Sequence, residues 1–293
     1  MKSLVIPAFL LLALGTAFGA DAPKPIKALL IAGGCCHDYS KQKDILKQGI
    51  EKRANVQVDI IYSEDHSTKP PFPFYGNAAN GVPPNPDYAK GYDVVIHDEC
   101  AADINDQAVV EAVLKPHRDG IPGVNLHCAM HCYRIGNPGE PATIGTPHGF
   151  WFEYLGLQSS GHGAQIPISL TVVDKESPIT KGTSDWTTIK EELYNNVKLH
   201  GAQALIRGKQ TEMKKQKQAD GTETQVPKDS EYVVAWTNMY QGKTRVFSTT
   251  IGHNNETVAD DRYLDLVTRG LLWACDKIQP DGTPKAGYGP VGK

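Results

Sequence analysis

Apolar positions fall along this chain in two rhythms, one of period two and one near 3.6, and the alternation between them predicts the elements. Residues 27–34 form a short apolar run closing on Gly33 and Gly34, which reads as a buried strand entering a glycine turn. Ile45, Leu46 and Ile50 recur at helical spacing within 40–53, and Val56, Val58, Ile60 and Tyr62 alternate over 56–63. Strand, helix, strand is a βαβ unit, whose crossover is almost always right-handed. Residues 64–90 break the rhythm, because Pro70, Pro71, Pro73, Pro83, Pro84 and Pro86 forbid a long helix or a central strand. A surface loop this long is either functional or decorative. A third strand is predicted over 92–96, ending in His97-Asp98-Glu99-Cys100. A helix over 105–114 follows, with Pro116 to stop it, and a fourth strand lies within 120–126. Such alternation argues for a parallel, doubly wound sheet.

The second half is less regular. A Gly/Pro-rich loop spans 136–149, a short helix is predicted over 150–157, and a turn follows at 159–163. Ile168, Leu170 and Val172 alternate in a strand over 168–173, and Glu191-Glu192-Leu193-Tyr194 enters another within 185–196. Residues 209–230 are polar and rich in Lys and Gln, the mark of an exposed hairpin tip or loop. Strands over 232–236 and 245–251 come next, then an amphipathic helix over 261–277. The pattern fits one domain over 26–278, with a flexible Gly/Pro-rich tail over 279–293.

The ends and the charge narrow the setting. Lys2 followed by a short apolar run and then Ala17, Gly19, Ala20 and Ala22 reads as a signal peptide over 1–20, cleaved near 19–22. An exported protein, periplasmic or secreted and without a membrane anchor after cleavage, is the expectation. Loss of Lys2 takes the net charge from −3 to −4, which suits neither nucleic acid nor an anionic membrane. Oligomerisation stays open. Cys35, Cys36, Cys100, Cys128, Cys132 and Cys275 permit disulfides in an oxidising compartment. Because a vicinal bridge is strained, free thiols at Cys35 and Cys36, or bridges from them to other cysteines, are expected.

Ligands of open α/β sheets bind beyond the carboxyl ends of the strands. Here those ends carry Gly34, Cys35, Cys36, His37 and Asp38; His97, Asp98, Glu99 and Cys100; His127, Cys128, His131 and Cys132; and His253 and Glu256. One such histidine would usually be structural, but four sets pointing one way favour a site. Three chemistries compete. His127 and His131 are four apart and with Cys128 would form a zinc or other divalent-metal site if the segment is helical. Cys128 with His253 would form a thiolate–histidine pair. His127 or His253 with Glu192 or Asp98 would serve acid–base catalysis.

The start Gly33-Gly34…His37-Asp38, the strand end at His127, the tract Glu192-Leu193-Tyr194, Arg245-Val246-Phe247…Gly252-His253 and the segment Gly270-Leu271-Leu272-Trp273-Ala274 together resemble the ThuA-like (trehalose utilisation) family. The resemblance spans nearly the whole chain after the leader. It implies a flavodoxin-like, class I glutamine amidotransferase-like three-layer sandwich with a mostly parallel central sheet. It also implies a role in disaccharide or keto-sugar metabolism. His127 stands where the amidotransferase nucleophile would be, with Cys128 displaced by one residue, so glutaminase activity is not expected. His253 lies where the late catalytic histidine of that fold would come.

The leading expectation is an enzyme of carbohydrate metabolism. His127, His253, Glu192 and His37 would be catalytic, and Asp38, Asp98, Glu99, Tyr194, Glu256 and Gly34 would bind a small carbohydrate. A non-catalytic sugar-binding domain and a zinc-dependent hydrolase are the alternatives.

Overall fold

The computed structural model describes residues 23–218 and 221–291; the expected signal peptide lies outside them. Among the described residues no helix is long and apolar enough to cross a membrane. The order opens with β1 (Ile26–Gly34), α1 (Tyr39–Arg53), β2 (Val56–Ser63) and β3 (Val94–Cys100), followed by α2 (Gln107–Asp119) and β4 (Gly123–Leu126). It continues through α3 (Phe150–Leu155), β5 (Leu157–Gln158), β6 (His162–Val172), β7 (Trp186–Tyr194) and β8 (Lys198–Leu199). It closes with β9 (Gln203–Lys217), β10 (Glu223–Tyr240), β11 (Thr244–Thr249), α4 (Asn255–Val258) and α5 (Asp261–Ala274).

Nine of the strands form one mixed sheet in the order β2-β1-β3-β4-β11-β10-β9-β6-β7. The first five run parallel, as the βαβ rhythm requires. From β11 onward every pairing is antiparallel, because short turns rather than crossovers join the later strands. β11 is the seam: although it is the last strand in the chain, it lies between β4 and β10.

Parity along the parallel strands divides the interior in two. Ala28, Leu30, Val94, Ile96 and Val124 face a core built with α1 and α5. Leu29, Ile31 and Val95 face a second core with α2 and α3, filled by Trp151 and Tyr154. Truncating a fully buried member such as Leu30 to Ala would cost about 2–5 kcal/mol.

Several elements differ from expectation. α2 passes through Pro116 instead of stopping before it, since proline in the last turn removes only one helical hydrogen bond. β3 runs to Cys100, so His97, Asp98 and Glu99 lie inside the strand and alternate between the faces. Residues 127–131 form a 3₁₀ helix, whose three-residue turn does not align positions four apart. Within the polar stretch read as an exposed hairpin tip or loop, residues 209–217 and 223–230 pair as long strands of a hairpin arm with mostly exposed side chains. The proline-rich loop packs inward through Phe72 and Phe74, and Phe74 stacks on Tyr88 at 4.5 Å. Residues beyond Ile278, read from sequence as a flexible tail, bond back to the body: the Asn55 N–H donates to the Tyr288 carbonyl at 3.0 Å.

Candidate active site

Four strand ends converge on one carboxylate. Glu192, near the end of β7, places an oxygen 3.5 Å from His127 Nε2, 3.4 Å from His253 Nδ1 and 3.6 Å from His162 Nε2. His37, just past β1, packs edge-on against His127 and His253, with ring centroids 4.6 and 4.7 Å apart. Metal-ligating atoms of His37, His127 and His253 all lie within 4.8 Å of one another. His37 Nδ1, His127 Nε2 and His253 Nδ1 are buried and have no hydrogen-bond partner.

The backbone holds these groups in place. His127 has φ +44°, a left-handed conformation costing about 1–3 kcal/mol that is typical of functional positions. Its Nδ1–H donates to the Thr250 carbonyl at 2.7 Å, which turns Nε2 toward Glu192. Gly33 and Gly34, at φ +134° and +100°, turn the chain at the end of β1. Glu191, fully buried beside Glu192, accepts backbone N–H bonds from Gly252, His253 and Asn254 and so pins the loop carrying His253. The Gln42 side chain donates to the His253 carbonyl at 3.0 Å.

Charge follows from this packing. Burial alone would raise the Glu192 pKa, but His127 and His253 beside it hold the carboxyl far below its usual range. The Glu192 carboxylate raises His253 above its ordinary value, more than burial lowers it. Burial, with His127 and His253 nearby, pushes His37 down to about 2. At neutral pH the site therefore combines an anionic carboxylate, a neutral His37 and a His253 inclined to hold a proton. That is a donor–acceptor set suited to proton transfer.

Not every residue singled out in the sequence arrives here. Tyr194 does, its ring 5.0 Å from His127. Asp38 flanks the entrance to α1 and accepts from Ser40 and Asn255, and Glu256 is exposed on α4. Asp98 is buried, its carboxyl raised first by burial and then by Glu99. Glu99 faces away from the cluster, because β3 alternation sends it into the second core to meet His97 and Tyr133. Gly34 leaves no room for a ligand: a Cβ there would lie 2.2 Å from the Cys100 carbonyl oxygen.

The expected metal trio of His127, His131 and Cys128 is not brought together. The 3₁₀ geometry sends the His131 ring onto Tyr194, at 4.3 Å, with Nε2 bonded to Ser159 Oγ at 3.0 Å. Cys128 is bridged to Cys100, and Cys35 to Cys36, contrary to the expectation of free or distant thiols at the vicinal pair. The turn at Gly33, Gly34 and Cys36, all at positive φ, sets the adjacent cysteine side chains together. Glu191 and His162 were not singled out by sequence. The tandem Glu191-Glu192 in an apolar strand was the available signal for the first, and nothing in the spacing marked the second.

A groove of about 240 Å³ meets the cluster through His162 and is lined further by Asn195, Gln210, Lys228, Ser230 and Tyr232 among others, but not by His37, His127, His253 or Glu192. Larger clefts, of about 810 and 450 Å³, lie elsewhere and hold none of these histidines; the larger is at the amino ends of the parallel strands.

Residues 83–274 match the model of the family ThuA, described as trehalose utilisation. No curated protein matches the chain. Among solved structures, a ThuA-like protein of Parabacteroides merdae superposes with a TM-score of 0.56 at 21% identity, covering 91% of this chain and 97% of its own. A ThuA-like protein of Bacteroides uniformis does so with 0.55 at 16% identity, covering 91% and 98%. A glutamine amidotransferase of Thermotoga maritima reaches only 0.41 at 10% identity, covering 87% and 86%. The first two share an α/β fold with this chain. The third is too remote to bear on fold or chemistry.

Proposed function

The chain belongs to the ThuA family of trehalose utilisation, and from that premise we propose that it is an exported enzyme acting on a disaccharide or keto-sugar by histidine–carboxylate acid–base chemistry. The observation that carries the proposal is the placement of Glu192 within 3.6 Å of three imidazole nitrogens. In this reading Glu192, kept ionised, accepts a proton from a substrate hydroxyl or a water. His253, held protonated by the same carboxylate, donates to the departing oxygen. His127 orients Glu192, and neutral His37 accepts a hydrogen bond. The polar groove beside His162 suits a ring rich in hydroxyls. The leader-like first twenty residues support export.

Product formation from a panel of disaccharides and keto-sugars tests the proposal. Wild type should turn over at least one of them, and His127→Ala and His253→Ala should not. Wild-type rates in both folded variants would refute the acid–base roles. Binding without product in the wild type would favour a sugar-binding module.

A second reading rests on the three unpartnered nitrogens of His37, His127 and His253. Three imidazoles with a carboxylate beside them fit a divalent metal such as zinc, which would displace any proton on His253, and the Thr250 carbonyl on His127 Nδ1 is the outer support such a ligand needs. A zinc ion there would polarise a water or a substrate oxygen. Glu192 would remain the proton acceptor. Metal analysis of protein purified without chelator decides this reading, and activity indifferent to chelator with negligible zinc would end it.

A further inference from the structure

Beside the histidines lies a group of sulfurs that the proposed chemistry does not use, and it shares His37 with them. Cys35 and Cys36 follow β1, Cys100 ends β3 and Cys128 follows β4, three strands adjacent in the sheet. Cys35 Sγ is 3.3 Å from Cys100 Sγ, across the two bridged pairs. The sulfurs of Cys35, Cys36 and Cys100 fall within 4.8 Å of one another, and so do those of Cys100 and Cys128 with a ring nitrogen of His37. A tetrahedral ion with bonds near 2.3 Å to sulfur separates its ligand atoms by about 3.8 Å. Two structural bridges would not need their sulfurs to form two adjoining ligand-sized groups, one with an imidazole, that meet at Cys100. Rigid neighbouring strands hold them there, with Cys100 and Cys128 buried and Cys36 exposed as the way in.

We propose that the reduced protein binds a thiophilic d¹⁰ cation of the zinc class through thiolates of the Cys35, Cys36, Cys100 and Cys128 cluster, with His37 as the nitrogen ligand. Soft thiolates select such ions over magnesium or calcium. The bridged state and the loaded state exclude each other. Opening both bridges takes two equivalents of an external dithiol, which is oxidised to its cyclic disulfide. It delivers four electrons and four protons and leaves four thiols. Each thiol that becomes a ligand releases its proton to solvent when the ion binds. Exchange with two equivalents of an external disulfide, which accepts the four electrons and leaves as thiols after taking protons from solvent, re-forms the two bridges, removes the sulfur ligands and expels the ion. The site thus takes up metal under reducing conditions and sheds it under oxidising ones. It does not depend on the acid–base reading of His127, His253 and Glu192.

Cobalt(II) added to the dithiol-reduced, desalted full chain tests this. A sulfur-to-cobalt charge-transfer band should appear at one cobalt per chain, vanish on addition of zinc, and be absent from the oxidised protein. Cys100→Ser and Cys128→Ser should each weaken cobalt affinity by about tenfold or more, whereas His253→Ala should keep the band even if it abolishes turnover. A second measurement needs no variant: zinc should slow alkylation of Cys100 and Cys128 in the reduced wild type, read by peptide mass. No thiolate band in the reduced wild type, a band undiminished in Cys100→Ser, or alkylation rates indifferent to zinc would each overturn the site.

Discussion

His97 and His117, inside the second core, can be set beside His37, His127 and His253 at the strand ends. In the inner pair every ring nitrogen has a partner. His97 Nδ1 meets Glu99 at 2.8 Å, His97 Nε2 meets His117 Nε2 at 3.1 Å, and His117 Nδ1 meets the Ile121 carbonyl at 2.8 Å. Tyr133 donates to the same Glu99 oxygen at 2.6 Å and contacts the Tyr75 hydroxyl. In the outer trio three nitrogens have none. Proton counting explains the inner pair: the Ile121 carbonyl requires a hydrogen on His117 Nδ1, so His117 Nε2 accepts from His97, and His97 shares the remaining proton with Glu99. The inner imidazoles have no nitrogen left for a ligand, although Glu99 Oε2 beside them has no partner, whereas the outer imidazoles keep nitrogens open. Residue type is alike in the two clusters, but His97 and His117 are fully buried while His37 and His253 are partly exposed, so hydrogen-bond accounting and access together separate a scaffold from a site.

That contrast can be broken by experiment. The largest expected effect is on turnover: His127→Ala or Glu192→Gln should lower kcat/KM on a confirmed sugar by about 10²–10⁴-fold, the usual yield of positioned acid–base groups. Both variants should remain folded by circular dichroism. Next comes the inner pair, where His97→Ala strands the buried Glu99 and should cost about 3–5 kcal/mol in urea unfolding. The part that stays folded should retain its kcat; a stability near wild type would mean that the pair is no scaffold.

Smaller effects sharpen the difference. With Glu192 ionised and His253 raised, kcat/KM should hold on its alkaline side beyond pH 6.5, and Glu192→Gln should move that limb to lower pH. The same linkage sets stability. The raised His253 contributes fully below 6.5, and its share is lost as pH climbs through the folded value. The depressed Glu192 contributes above 4.5, and its share is lost as pH falls through the folded value. An alkaline limb that does not move in Glu192→Gln would uncouple the two groups. Smallest is Ser159→Ala, which removes the His131 partner and should cost about 1 kcal/mol while leaving turnover within about twofold.

The parallel half of the fold was legible because its inner strands are buried on both faces and read as apolar runs, as in 27–34, while the edge strand β2 alternates. In the antiparallel half the strands over 168–173, 232–236 and 245–251 were legible, but the paired arm was not read as strand, since its residues 209–217 and 223–230 are polar on both faces and carry no period to detect. His37, His127, His253 and Glu192 were legible as chemistry at strand ends. The role of Glu99 was misread because β3 continues past Ile96, and one turn of alternation decides which face a carboxylate takes. His162 was missed because its contact with Glu192 depends on the pairing of β6 with β7, which no local spacing encodes.

The position of β11 has a kinetic consequence. His127 and its carbonyl partner on Thr250 are 123 residues apart, and the seam strand must slot between neighbours that are already waiting before either half of the sheet closes. Pairings of such long range are slow, because the loop-closure cost comes before any contact rewards it. During synthesis, then, a ribosome can release most of this polypeptide with its first βαβ units folded and yet with no working site. Competence arrives in one late step, when the final strand is inserted and carries His253 into place.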